Sequence, residues 1–370
     1  MLRFDRRLLL NIDWVLIVAV LVVAFIGMVN LYSSTHLYTN VGVPLYLKEL
    51  TYYLIGAAII LLFISVDYRV LLTLNYPLYI AMILLLLFAL VFGKTIGGAQ
   101  RWINLGFFRL QPSEPAKLIL VITLASYYYR KDTGKGFGLL DLAIPALLTG
   151  LPFLLIAKQP DLGTGLLLVF VFASMTMFIK LRRSTLATLL CGGLSSIPIA
   201  WKFFLKPYQR QRVETFLNPE NDPLGTGYHI IQSKIAVGSG LIFGKGYTQG
   251  TQGQLDFLPE RHTDFAFSVW AEEWGFFGSF ILLICYFFMI LWGLNIAISA
   301  RDKFGVLLAF GVVSLIFWQA FINLAMVMGL LPVVGVPMPL ISFGGSSLIT
   351  NLAGLGLLMN IRMRRYMGTS

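Results

Sequence analysis

Apolar runs of roughly 20 residues, the length that crosses about 30 Å of hydrocarbon, recur along this chain with short polar or basic stretches between them. The clearest begin at Trp14, Tyr52, Tyr79, Leu118 and Phe304. The pattern predicts ten helical spans, at 13–33, 50–66, 72–92, 114–129, 138–157, 162–180, 184–204, 264–297, 304–330 and 346–361. The eighth is long enough to tilt or protrude. The run from Trp14 to Leu31 is too long for the apolar core of a secretory signal, so an uncleaved first span is expected.

Two stretches break the rhythm. Residues 93–113, GKTIGGAQRWINLGFFRLQPS, are too apolar for a free loop and are expected to lie on the membrane surface or re-enter it. Residues 205–263 form one long loop rich in Gly, Pro, Gln and charge, too long for a mere connector. No repeat argues for two halves, so residues 1–370 read as a single integral membrane domain. It is an all-α polytopic fold with spans 1–7 within 13–204 and spans 8–10 within 264–361.

Charge gives the orientation. With the N-terminus inside, fifteen Lys and Arg side chains fall in cytoplasmic segments, from Arg3, Arg6 and Arg7 through Arg130, Lys131 and Lys180 to Arg362, Arg364 and Arg365. Only Lys48, Lys94, Arg101, Arg109 and Lys158 occupy the short outer loops, so both termini are expected in the cytoplasm. Composition agrees: 58% of the 370 residues are hydrophobic and 12% charged, more apolar surface than a water-soluble fold of this length can hide. The net charge of +11 therefore reads as topology and attraction to anionic lipid rather than nucleic-acid binding. Cys191 and Cys285 fall inside apolar runs and read as packing residues.

The polar chemistry gathers in the outer segments. In TQGQLDFLPERHTDFAFSVWAEE (251–273), Asp264 enters the eighth span beside Glu260 and His262. A carboxylate there is partly desolvated, which suits a base. Thr263 or Asp264 is equally placed to cap the helix. Glu272 and Glu273 lie deeper, where an unpaired charge costs about 2.5–3.5 kcal/mol, and the fourth span offers a partner. There Ser113 is a plausible N-cap, Pro115 suits the first turn, and Glu114 and Lys117 share a face at i,i+3. They form either an internal ion pair or a Lys117 aimed at a substrate phosphate. Arg101, Trp102, Arg109 and Gln111 precede that span, and Arg210, Gln211 and Lys245 lie in the long loop. Together they make a cationic outer face suited to an anionic, lipid-linked substrate. The prolines and glycines of GLLPVVGVPMPLISFGGSS (329–347) forbid a continuous helix. That segment is an outer turn or a re-entrant wall of a cavity, and it adds Ser342 to the candidates. The three histidines are scattered and form no metal cluster, and no nucleotide loop or nucleophile elbow is present.

Five blocks together resemble the SEDS family (shape, elongation, division and sporulation proteins). They are GGAQRWI (97–103), LQPSEPAKL (110–118), KQPDLGTG (158–165), LPERHTDFAFSVWAEEWG (258–275) and GVPMPLISFGGSS (335–347). The PERHTDF stretch is nearer the family's rod-shape branch than its division branch, while Trp270 and Trp274 stand where relatives commonly carry smaller aliphatics. The resemblance implies a peptidoglycan glycosyltransferase of the bacterial cytoplasmic membrane that polymerises lipid II on the outer face. It implies Asp264 as the catalytic aspartate, a class B penicillin-binding protein as partner, and no obligatory cofactor. A divalent cation at the pyrophosphate is left open. A lipid II flippase and a non-catalytic scaffold are the competing readings. A flippase needs no base at Asp264, and a scaffold makes the cavity charges dispensable.

Overall fold

The computed structural model describes residues 11–36, 42–96, 99–104, 106, 109–131, 134, 136–204, 207–222, 225–254, 257–258 and 260–365. Arg3, Arg6, Arg7 and Lys135 of the charge count lie outside the described residues. Among the described residues, ten helices of 17 residues or more occur where the apolar runs predict them: α1 (Trp14–Thr35), α2 (Leu45–Ser65), α3 (Leu71–Phe92), α4 (Ser113–Arg130), α5 (Leu139–Lys158), α6 (Leu162–Phe178) and α7 (Arg183–Ile199), then α11 (Ala266–Ile298), α12 (Lys303–Val327) and α13 (Gly345–Met363). The long loop between α7 and α11 is itself helical, with α8 (Pro207–Leu217), α9 (Thr226–Ser239) and the single turn α10 (Thr251–Gln254).

Apolar side chains fill the core and also cover the outside. Phe25, Leu61, Leu140, Leu147 and Phe287 are all more than 60% exposed, whereas Asn30, Asn75, Gln319, Asn323 and Asn360 are almost wholly buried. Lipid solvates the apolar side chains, and Asn30, Asn323 and Asn360 join separate segments through hydrogen bonds that hydrocarbon cannot supply. Among the described residues six helical segments, α1, α2, the turn at Tyr68 continued by α3, α5, α11 and α12, are each long and apolar enough to cross a membrane. At the centre, α12 packs against α11, α4, α6 and α13, while α13 also lies along α2.

Residues 93–113 hold a small antiparallel sheet that the pattern did not predict: β1 (Lys94–Ile96), β2 (Ala99–Asn104) and β3 (Arg109–Leu110), in the order β1-β2-β3. Lys94 pairs with Trp102 and Asn104 with Arg109. Pairing satisfies the backbone of a stretch too apolar to stay solvated and too glycine-rich to stay helical. It also stands Arg101, Trp102 and Arg109 on a frame above α4.

The long α11 is two helices in one. Gly275 takes φ +63°, a left-handed value that a side chain would resist. The strap 240–246 fills the opening: Lys245 and Gly246 N–H donate to the carbonyls of Glu272 and Glu273, and Phe276 and Phe277 N–H donate to Leu241 and Ile242. A Cβ on Gly275 would lie 2.3 Å from the Gly244 nitrogen, so no other residue fits this junction.

Candidate functional site

Asp264 sits in a turn, 260–265, immediately before α11, and four contacts from α1, α12 and the 329–347 segment fix the turn and the start of the helix. Asn323 of α12 donates through Nδ2 to the Asp264 carbonyl (2.9 Å) and to the Val336 carbonyl (2.8 Å). Asn30 of α1 donates to Ala266 O at 2.9 Å. The buried Arg261 donates through Nε to Ser34 O at 3.0 Å. The Phe343 N–H donates to His262 O at 2.8 Å. The chain therefore cannot shift without breaking hydrogen bonds in a buried setting. Neither Thr263 nor Asp264 caps α11: the cap residue is Phe265, with no side-chain cap bond. That removes the capping alternative and leaves the Asp264 carboxylate to the groove.

The groove holds a cavity of about 350 Å³, with Asp264 among lining residues that include Arg101, Trp102, Gln111, Glu114, Glu260 and Ser346. A second cavity of about 500 Å³, lined by Lys48, Tyr52, Arg109 and His262 among others, shares Trp102, Thr263, Phe343 and Gly344 with the first. Together they have the volume of a small-molecule site. Burial is the main cause that pushes the Asp264 carboxyl up to about 6; neighbouring Glu260 and Asp161 add to it, and Arg101 and Arg212 oppose it. Burial pushes the His262 imidazole below its usual range. A carboxyl near 6 is largely ionised at neutral pH yet more basic than an ordinary aspartate, which is what a proton acceptor needs. Gly335, at φ +70°, lies so close that a Cβ there would sit 3.3 Å from Asp264 Oδ2.

The 329–347 segment forms the facing wall, with Gly335, Pro337, Phe343 and Gly344 lining the cavity. Its broken backbone is held by side chains: Tyr53 donates to Leu340 O (2.7 Å) and Tyr286 to Pro339 O. Ser342 is part of this scaffold, not of the cavity. It is buried, and its Oγ accepts the Met338 N–H at 2.9 Å. Ser346 and Ser347 line the groove in its place.

Several candidates are otherwise engaged. Lys117 is 1% exposed and forms a 2.7 Å ion pair with Glu114, so of the two readings the structure takes the internal pair. Glu114 alone of that pair reaches the cavity. Helix α4 starts at Ser113 with Pro112 as its cap residue, so Ser113 is not the N-cap. Lys245 pairs at 2.7 Å with Glu272, which is 0% exposed; the strap, not the fourth span, neutralises that carboxylate. Glu273 instead accepts from Ser33. Arg210 donates to Lys202 O at 3.0 Å, and neither it nor Gln211 lines the two cavities. Arg212, two residues on, is the arginine of that helix whose charge bears on Asp264. Sequence reasoning placed weight on 210 because helical phase cannot be read to within two residues in a segment without a clear apolar face.

Asp161 and Asn323 were missed. Asp161 lies in the quoted KQPDLGTG block, and its single charge at a span boundary was the available signal. Asn323, one amide within an apolar run, gave none beyond the rarity of polar groups at such depth. Among the described residues no group of three or more His, Cys, Asp or Glu is arranged to hold a metal ion.

A family profile described as cell cycle protein, FTSW_RODA_SPOVE, matches residues 13–367. The peptidoglycan glycosyltransferase MrdB of Escherichia coli (strain K12) is 48% identical over 292 residues, 78% of either chain. Among solved structures, a chain from a study of the structural coordination of polymerization and crosslinking by a peptidoglycan synthase complex superposes with a TM-score of 0.82 at 34% identity. That match covers 96% of this chain and 99% of the other. The rod shape determining protein RodA of Thermus thermophilus superposes with a TM-score of 0.71 at 31% identity, covering 96% and 98%.

Proposed function

This chain belongs to the FtsW/RodA/SpoVE family and is a peptidoglycan glycosyltransferase, and from that premise we propose that it polymerises lipid II with Asp264 as general base. The observation that carries the reading is the Asp264 carboxyl, raised to about 6 and facing a groove that Arg101 also lines. The acceptor GlcNAc 4-hydroxyl attacks C1 of the donor MurNAc. The O4–C1 bond forms, the bond from C1 to the pyrophosphate oxygen breaks, the proton passes to Asp264, and undecaprenyl pyrophosphate leaves. An α-linked donor gives a β-linked product in one inverting displacement, so no covalent sugar–enzyme intermediate is needed.

The leaving group departs as an anion, and fixed cations stabilise it better than an acid would. Arg101 lines one of the two adjoining cavities and Arg109 the other, and they are the residues assigned to it, with no obligatory cofactor. The ten helices are read as ten spans, with both ends in the cytoplasm and the groove on the outer face of a bacterial inner membrane. The excess of cations at the opposite ends of the helices supports this. Growing strands call for crosslinking, so the partner is a class B penicillin-binding protein. The likeness to a chain of a peptidoglycan synthase complex supports that choice. The rod-shape relatives support a role in elongation.

The test is a polymerisation assay with purified lipid II in detergent, the partner present, where no membrane remains to be crossed. Asp264→Asn is expected to lose roughly 10²–10⁴-fold in rate. Normal glycan synthesis by that variant removes Asp264 from the chemistry.

A further inference from the structure

We infer that Asp161 is a positioning residue for this reaction: it holds the Arg101 guanidinium, and Gln111 beside it, in place on the groove wall that faces Asp264. The inference rests on the polymerase reading above and names a residue that this reading does not use. Asp161 is the cap residue of α6, and its Oδ1 accepts the Thr164 N–H at 3.3 Å. A cap needs only one oxygen. The other, Oδ2, takes Arg101 NH1 at 3.3 Å and Gln111 Nε2 at 3.0 Å. One carboxylate thus joins a helix end to the β2 strand and to the start of α4.

Exposure separates the roles. The Asp161 side chain is 1% exposed and beyond the reach of substrate, while that of Arg101 is 29% exposed and lines the cavity. Arg101 Nε is buried without a hydrogen-bond partner, so the ion pair with Asp161 is what fixes the guanidinium. The arrangement extends further. The Gln111 backbone N–H donates to Ser346 Oγ at 3.1 Å, and that hydroxyl donates to Arg109 O at 3.0 Å. Moving Asp161 would therefore loosen two cavity-lining side chains, Arg101 of the hairpin and Gln111 just before α4, together. A flexible arginine loses entropy on meeting each anion, whereas one already fixed by a carboxylate does not.

The titratable and charged groups around Asp264 are Glu260 and His262 on its own turn, Arg101 on β2, Glu114 on α4, Asp161 at α6 and Arg212 on α8. Asp161 raises the Asp264 carboxyl and Arg101 lowers it. Removing the Asp161 charge also leaves Arg101 un-neutralised, so both consequences lower Asp264.

The experiment is lipid II polymerisation by the complex with its partner, from pH 5 to 9, for wild type, Asp161→Asn, Arg101→Ala and the double variant. Asn still caps a helix well, so α6 is retained. Asp161→Ser, which caps but is too short to reach the guanidinium, is the second variant should the first fold poorly. Asp302→Asn, which keeps the cap of α12 but loses its ion pair with Arg69, reports generic loss of a cap residue's ion pair. Asp161→Asn is expected to lower kcat/KM by about 10- to 100-fold and to move the acid limb of the profile down by about 0.5–1 pH unit. The double variant should be no worse than Arg101→Ala alone. Multiplying losses, or an acid limb that stays put in Asp161→Asn, overturns the inference and leaves only a helix cap. Wild-type rates from Asp264→Asn would instead sink the base assignment; the coupling of Asp161 to Arg101 is read separately, from the double variant.

Discussion

Asp264→Asn should make the protein inactive and more stable at once. The carboxyl is pushed from the usual 3.8 to about 6, with burial the largest cause, so the fold disfavours its charged form. The linkage runs against the usual carboxylate case. Between about pH 4 and 6 the folded chain binds more protons than the unfolded one, so stability falls as pH rises through this window. Above pH 6 the whole cost is present. At about 1.4 kcal/mol per unit it is at most about 3 kcal/mol, less what water in the groove recovers. Asparagine has no charge to desolvate and nearly the same shape, so it escapes this cost. Thermal unfolding of the purified protein in detergent at pH 7.5 should show a rise in apparent Tm of about 2–6 °C for the variant. The gap should close toward pH 4.5, and polymer synthesis should be lost throughout. A variant less stable than wild type at pH 7.5, or a gap that ignores pH, refutes the claim that the groove holds Asp264 in a strained ionisation state.

Gly335→Ala forces a side chain into a left-handed backbone and toward Asp264 Oδ2. It should cost about 1–2 kcal/mol of stability and lower the polymerisation rate by more than that loss alone would, read as kcat at equal folded protein. Lys117→Met leaves Glu114 as a buried charge without its partner and should cost about 3–5 kcal/mol. Adding Glu114→Gln should recover most of that in an unfolding assay. Lys245→Met should destabilise through the buried Glu272 while leaving KM for lipid II unchanged; a selective rise in KM would return Lys245 to the substrate.

The residues along the chain were enough to locate ten helices, since each apolar run carries its own solvent preference and needs no distant partner to declare it. They also marked the turn before α11, because a carboxylate at the edge of an apolar run stands out wherever it occurs. The sheet at 94–110 was not legible in the same way. Strand pairing joins residues through the backbone, and Lys94 opposite Trp102 leaves no periodic trace in so short a stretch. Nor could the chain alone distribute the cations. Arg101, Arg210, Lys117 and Lys245 look alike in sequence, and each is attracted to whichever acid lies nearest in space. Folding gave Lys117 to Glu114, Lys245 to Glu272 and Arg101 to Asp161. Hydropathy is a property of each segment and survives being read in isolation. Ion pairing falls off within a few ångströms, so which charges remain for substrate is settled only when α4, α6, α11 and the hairpin come together.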